Sequence, residues 1–272
     1  MGISLDIERA EEEFIKRALE ELGISYEVIS SSTLFSLGES PFPPVVLIRN
    51  ISATNSAYMA AIVEASGSRA VNSSRAIVLG HDKLLTYSAL LRRGLKIPKS
   101  WVALDGAELE GAGLDYPLID KPPIGSWGRL VSLARSPEAL SAIAAQRRAL
   151  PTPALRVHIL QRPAELGRDV RCLVVGSRVV ACMERRGREG EWRSNAAIGG
   201  SATALKPSHE VEELSLKAAE AVGAEVAGVD LLYGESLLVN EVNVVPEFKA
   251  LYKATGVNVA RAIAEYLMEL RR

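Results

Sequence analysis

Aromatic side chains are scarce in this 272-residue chain, at 5% of the total. Stacking platforms for single-stranded nucleic acid are therefore not expected. An excess of one charge is also lacking: 32 Lys and Arg stand against 33 Asp and Glu, a formal net charge of −1. A general nucleic-acid coat needs a strong positive excess, so no nucleic-acid partner is expected. Cysteine is nearly absent. Cys172 and Cys182 cannot build a disulfide framework and their spacing matches no zinc site, so a reduced, cytoplasmic protein is the expectation. No apolar run approaches the ~18 residues of a spanning helix, and no membrane association is expected. The N-terminus, MGISLDIERAEEEF, lacks the basic start and apolar centre of a signal peptide. Asp6 also stands where a myristoylation signal needs Ser or Thr.

What is present is alternation. A chain of this length holds one large or two modest domains and buries a substantial core without staples. Ile7, Ala10, Phe14, Ala18 and Leu22 recur at helical spacing, and Gly23 ends the run. Strands over 24–29 and 45–48 and a helix over 58–64 make an α/β layer of roughly 75 to 80 residues. A second unit opens near Asn72. It holds a helix over 82–93, strands over 100–103, 117–121 and 130–134, and a helix over 137–150. Arg147 and Arg148 lie near the end of that last helix, where cations suit its dipole. Apolar runs over 155–160, 169–175 and 178–184 read as strands. A helix over 208–222, strands over 227–232 and 237–244, and a closing helix over 255–270 complete the chain.

The segment GVDLLYGESLLVNEVN (228–243) carries the most chemistry. Two apolar runs flank Gly234-Glu235, a two-residue turn that sets Asp230 opposite Val239. Asp230, Glu241 and Asn243 then share one face. Carboxylates within Val/Leu-rich strands need a positive partner, because an unpaired buried carboxylate is costly. Oxygen ligands favour Mg²⁺, with phosphate oxygens completing its shell. Ordinary pairing of Asp230 and Glu241 with Arg or Lys is the alternative. Upstream, Ile119-Asp120-Lys121 ends a strand and Gly125-Ser126-Trp127-Gly128 follows. Two glycines let backbone N–H groups approach phosphate, with Lys121 as a point charge at the base. The loop is neither a Walker loop nor a dinucleotide fingerprint, and a plain surface turn is the alternative. Lys83 adds a second cation at a helix start, a position that solvated lysines also occupy.

Charge is polarised along the chain. Residues 168–193 carry seven basic and four acidic side chains, a local +3, whereas residues 1–30 carry eight acidic and three basic, a local −5. Arginine forks in the basic stretch suit phosphate or carboxylate groups, and a solvated loop is the plainer reading.

On these residues the sequence resembles the ATP-grasp ligases, in particular the branch of the ribosomal-protein glutamate ligase RimK and the carrier-protein ligases LysX and ArgX. The matching blocks are LGHDK (79–83), KPPIGSWGRL (121–130), GRDVRCLVVG (167–176), ERRGREGEWRSN (184–195), AGVDLL (227–232), NEVNVVPEF (240–248) and KATGVNVA (253–260). They occur in family order and cover almost everything after residue 75. The resemblance implies an α/β (α+β) ATP-grasp fold. Its parts are an N-terminal Rossmann-like domain over 1–78, a central lobe with a flexible glycine loop over 79–157, and a C-terminal lobe with a metal hairpin over 158–272. It also implies ATP with Mg²⁺ or Mn²⁺. Lys83, Lys121, Gly125, Ser126, Trp127, Gly128 and Gln161 would then bind the nucleotide, and Asp230, Glu241 and Asn243 the metal. Arg171 and Arg193 would be catalytic, binding carboxylates or developing charge, and Asn195, Gly199 and Gly200 would hold an amino-acid acceptor.

KPPIGSWGRL and Glu247-Phe248 look more like the carrier-protein ligases. The implied reaction activates the C-terminal glutamate side chain of a small acidic carrier (LysW) as an acyl phosphate. It then joins that group to the amine of 2-aminoadipate or glutamate, in lysine or arginine biosynthesis. Relatives are commonly dimers or tetramers, so a homo-oligomer is expected. A RimK-like enzyme adding glutamate to another protein's C-terminus is one alternative, and an ATP-binding homologue without ligase chemistry is another. Three departures leave the adenine contacts and the acceptor open. Gln161, followed by Arg162-Pro163, stands where the hinge usually has Glu; Ile198 precedes the glycine pair in place of Arg; and Asn195-Ala196 replaces Asn-Thr. His81, His158 and His209 receive no role, since ligation through an acyl phosphate needs no imidazole.

Overall fold

The computed structural model describes residues 1–39, 41–105, 107, 109, 113–125, 127–188, 192 and 200–271. The chain opens with β1 (Gly2–Leu5), α1 (Ala10–Glu21), β2 (Glu27–Ser30), β3 (Val45–Ile48), α2 (Ala53–Ala65) and β4 (Arg69–Val71). The four strands form a parallel sheet in the order β2-β1-β3-β4. β1 was hidden in the sequence because four residues are too few to show a period, yet all four are buried. Helices α3 (Ser74–His81) and α4 (Lys83–Arg92) follow. Asp82 caps α4 by accepting from the backbone N–H groups of Leu84 and Leu85.

The second sheet comprises β5 (Ser100–Ala103), β6 (Leu118–Lys121), β7 (Ser132–Ala134) and β8 (His158–Gln161), antiparallel in the order β5-β8-β6-β7. Helices α5 (Pro137–Arg148) and α6 (Pro153–Arg156) lie between β7 and β8. A strand was expected from residue 155, but Pro153 starts a helical turn and β8 begins only at His158. The expected boundary at 157 therefore falls just before a strand whose partners are β5 and β6. This sheet has a small core of its own, formed by Leu118, Ala134, Leu140 and Leu160. Arg147 turns inward rather than toward the helix dipole: it is 3% exposed and donates to Asp120 at 2.7 Å. Asp120 also lies 3.0 Å from Nδ1 of the buried His158.

The third sheet is built from β9 (Arg168–Val175), β10 (Arg178–Arg186), β11 (Ser201–Leu205), β12 (Val226–Leu232) and β13 (Leu238–Asn243), in the order β11-β10-β9-β12-β13. α7 (His209–Val222) connects β11 to β12, and α8 (Lys249–Thr255) and α9 (Val259–Leu270) end the chain. The expected closing helix over 255–270 begins only at Val259, and α8, which was not expected, precedes it. Gly256, at φ 71°, ends α8, and the Asn258 side chain accepts from the Arg261 N–H to start α9. Alternation along β9 divides the sheet faces: Val170, Cys172 and Val174 join the core that contains α7, whereas Leu173 and Val175 join the core with α9.

Cys172 and Cys182 are direct cross-strand partners and form a disulfide with a Cα separation of 4.1 Å. The expectation of reduced cysteines is thereby overturned. Antiparallel pairing brings the two side chains together on the α7 face, a contact that their spacing in sequence does not reveal. The N-terminal sheet is tied to the third by a polar clamp. Glu12 accepts from Arg9 and from the fully buried Arg49, which donates onward to the Pro246 carbonyl at 3.0 Å. Among the described residues, no helix is long and apolar enough to cross a membrane.

Candidate functional site

The β12–β13 hairpin departs from the expected geometry. Its connection spans residues 233–237 rather than Gly234-Glu235 alone, and a bulge interrupts the pairing after Leu231–Val239. Asp230 therefore lies opposite Glu241 rather than Val239, with Asn240 as the extra residue. Asp230, Glu241 and Asn243 still share a face, because Gly228 and Asn243 are the next same-face pair. Like charges directly opposite each other are unfavourable without a cation between them.

Two arginines answer for Asp230. Arg171, its cross-strand neighbour on β9, donates to both carboxylate oxygens at 2.6 and 2.7 Å. Arg185 approaches Asp230 to 3.0 Å while gripping Asp169 at 2.6 and 2.7 Å. Burial pushes the Asp230 carboxyl up, but Arg171 and Arg185 outweigh it and hold the group below the ordinary carboxylate range. Asp230 thus has the arginine pairing that competed with a metal in the sequence reading. Glu241 differs. Its side chain is 28% exposed, and its ion-pair neighbour, Lys83, stands 3.9 Å away. Asn243 donates through Nδ2 to the Gly228 carbonyl at 3.4 Å, which leaves its side-chain oxygen for a ligand.

The donor set fits Mg²⁺, which takes one or two carboxylates and completes its shell with water and phosphate oxygens. Among the described residues, no group of three or more His, Cys, Asp or Glu could hold a metal. An ion here would accordingly rest on Glu241, Asn243, one oxygen of Asp230, and whatever the nucleotide supplies.

The lysines come from the other side. Lys83 heads α4; its backbone N–H donates to the Pro123 carbonyl at 2.8 Å and its Nζ to the Gly125 carbonyl at 2.7 Å. Lys121 ends β6 and is buried, donating to the Tyr87 hydroxyl at 2.7 Å and to Asn240 Oδ1 at 3.2 Å. Burial brings its ammonium down to about 7, with Lys83 adding to the effect and Glu241 opposing it. The glycine loop is held in left-handed backbone at Gly125 and Gly128, and also at Trp127 (φ 56°) and Leu130 (φ 58°). For side-chain-bearing residues that conformation costs about 1–3 kcal/mol each, and such strain clusters at ligand sites. The Arg129 guanidinium lies 4.9 Å over the Trp127 ring.

These groups line one cleft between the second and third sheets. Ile119, Leu166 and Leu232 form its apolar walls. Lys83, Lys121, Gly125, Trp127, Gly128, Gln161, Asp230 and Glu241 all face it. Arg171, Asn243 and Gly200 do not line it. Ser126, Arg193, Asn195 and Gly199 lie outside the described residues, as do Ala196 and Ile198. Asp169, Arg185 and Asn240 line the cleft without having been singled out. Period-two alternation of Asp169 with Arg171 was a usable signal for the first. Asn240 carried none, since its inward position is created by the bulge.

Residues 80–267 match the family model of the RimK-like ATP-grasp domain. Glutamate–LysW ligase ArgX of Sulfolobus acidocaldarius is 38% identical, covering 98% of this chain and 97% of the relative. The ribosomal protein bS6–L-glutamate ligase of Escherichia fergusonii is 36% identical over 75% of this chain and 69% of its own. Among solved structures, the ATP-grasp ligase PsnB bound to a phosphomimetic variant of its minimal precursor, Mg and ADP matches with a TM-score of 0.75. Its identity is 18%, across 100% of this chain and 98% of that one.

Proposed function

This chain belongs to the RimK-like ATP-grasp family, and from that premise we propose that it ligates glutamate to a small carrier protein of the LysW kind. The bond joins the amine of glutamate, or of 2-aminoadipate, to the carrier's C-terminal glutamate side chain. Support for the substrates comes from the full-length relative named for glutamate and LysW. The observation that carries the chemistry is that Lys83, Lys121 and Glu241 line one cleft, with Lys83 3.9 Å from Glu241.

Ligation of this kind is mostly positioning and neutralisation of charge. Lys121 at the floor and Lys83 at the mouth place two cations beside a triphosphate, and the phosphates favour the charged form of Lys121. Gln161 and Ile119 would border the base. Arg171 acts through Asp230, holding its carboxylate in place. Glu241, Asn243 and one oxygen of Asp230 are the groups that would hold Mg²⁺, which would supply neutralisation of the phosphate charge. The carrier carboxylate oxygen attacks the γ-phosphorus and ADP leaves. The amine then attacks the acyl carbon, phosphate leaves, and the amine loses a proton to give the amide.

Intact-mass measurement tests this with the purified protein, ATP, Mg²⁺, a LysW-type carrier and a panel of amino acids. The carrier should gain one glutamate or aminoadipate residue together with ADP release. Glutamate added instead to the C-terminus of another protein would replace this reading with the RimK-like one. ATP binding without ADP release under any acceptor would remove the ligase assignment altogether.

A further inference from the structure

Tyr87 has no part in the chemistry above. It lies within α4, 3% exposed, behind the cleft rather than lining it. Its hydroxyl is nevertheless the point where three cleft residues meet. Lys121 Nζ donates to it at 2.7 Å, Gln161 Oε1 lies 3.1 Å away and Asn240 Oδ1 3.4 Å away.

Donor and acceptor inventory sets the direction of these bonds. An ammonium only donates, and a phenol has a single O–H. Lys121 therefore occupies a lone pair of the hydroxyl, whose hydrogen goes to Gln161 Oε1, the shorter of the two contacts. With its oxygen engaged, Gln161 is left with its NH₂ for the cleft that it lines. Lys121 uses two of its three N–H groups on Tyr87 and Asn240, which leaves one for a ligand.

We infer that Tyr87 is a positioning residue for nucleotide binding, its single hydroxyl orienting both the Lys121 ammonium and the Gln161 amide. A phosphate oxygen and a purine ring nitrogen then meet donors that are already aimed. Lysine and glutamine are rotamer-rich side chains, so fixing them beforehand removes an ordering cost from binding. Without the hydroxyl, Gln161 is free to present its oxygen, the wrong polarity for a ring nitrogen. The inference rests on reading the cleft as an ATP site.

Tyr87→Phe keeps the ring in the core and removes only the hydroxyl. Calorimetric titration of wild type and variant with a non-hydrolysable ATP analogue and with adenosine provides the test. The ATP analogue should bind the variant about tenfold more weakly, as expected for losing a hydrogen bond to a charged group, with a smaller loss for adenosine. In the ligation assay KM for ATP should rise by a similar factor, while kcat and the acceptor KM hold. Adding Gln161→Met to Tyr87→Phe should weaken adenosine binding little further, the non-additivity expected of groups in one chain of bonds. A variant that binds both ligands as wild type does, with or without a lower melting temperature, overturns the inference and leaves Tyr87 a core residue. Wild type failing to bind the ATP analogue would instead sink the nucleotide reading, and the inference with it.

Discussion

Two buried ionic networks in this molecule end differently. In the clamp beneath α1, Glu12 is met by Arg9 and Arg49, Arg49 reaches the Pro246 carbonyl, and Glu11 accepts from the Phe248 and Lys249 N–H groups. Burial pushes the Glu12 carboxyl up, yet Arg49 and Arg9 hold it below its ordinary range. At the cleft, Asp169, Arg185 and Asp230, together with Arg171, which does not line it, close on one another in the same way. Beside them, however, Lys121 donates only to neutral oxygens, and Lys83 and Glu241 stay 3.9 Å apart. A clamp matches its charges internally, whereas a binding site keeps some of them for its ligand. Burying an ammonium without a counter-ion is costly, so such an arrangement marks a place that something anionic completes. The clamp also explains Glu247-Phe248: Phe248 is 1% exposed beneath Arg49, and Glu247 lies 3.4 Å from Arg9.

Breaking the closed network should have the largest effect. Arg49→Met leaves the buried Glu12 with Arg9 as its remaining arginine partner and should cost up to about 3 kcal/mol in urea unfolding. Pairing it with Glu12→Leu should recover much of that loss. In the open network Glu241→Gln should leave the urea midpoint within error but slow ADP release by at least about 100-fold, since it removes an oxygen donor at the phosphates. Loss of stability without loss of turnover would reverse the comparison. Replacing both Cys172 and Cys182 by Ala opens a crosslink of sequence separation 10. That should cost about 2–3 kcal/mol. ATP affinity should not change, because the disulfide lies on the sheet face opposite Asp230; titration of thiols in denaturant should find none before reduction and two after. The smallest effect concerns protons. Lys121 titrates near 7 in the free protein and its charged form is the one that phosphate favours. ATP binding should therefore take up a proton above pH 7, and affinity should fall by at most about tenfold per pH unit from 7 to 9. Calorimetry in buffers of different ionisation enthalpy measures that uptake, and zero uptake at pH 8 would show that nucleotide binding does not change the protonation of Lys121.

Much of the candidate site was legible because it rests on local rules. Strand alternation put Asp230, Glu241 and Asn243 on one face even though the turn and the register were assigned differently. A shift of one residue plus a bulge of one residue restores parity, so the shared face survived where the opposed pair did not. The helix start at Lys83 was visible through Asp82, a strong cap. Illegible features share a physical cause. β1 and β11 are short strands whose pairing is long-range; the disulfide depends on the β9–β10 register; and Tyr87 looks like any apolar residue of an amphipathic helix until β6, β8 and β13 bring their side chains to it.

Periodicity is a property of neighbours along the chain, so the longer helices and strands, the face shared by Asp230, Glu241 and Asn243, and the oxygen-rich hairpin were determined by the amino acids alone. Which charge meets which was decided only in three dimensions. Arg171 reaches Asp230 across 59 residues and Lys121 reaches Asn240 across 119. Coulomb and hydrogen-bond energies depend on separation in space, which folding sets and sequence spacing does not.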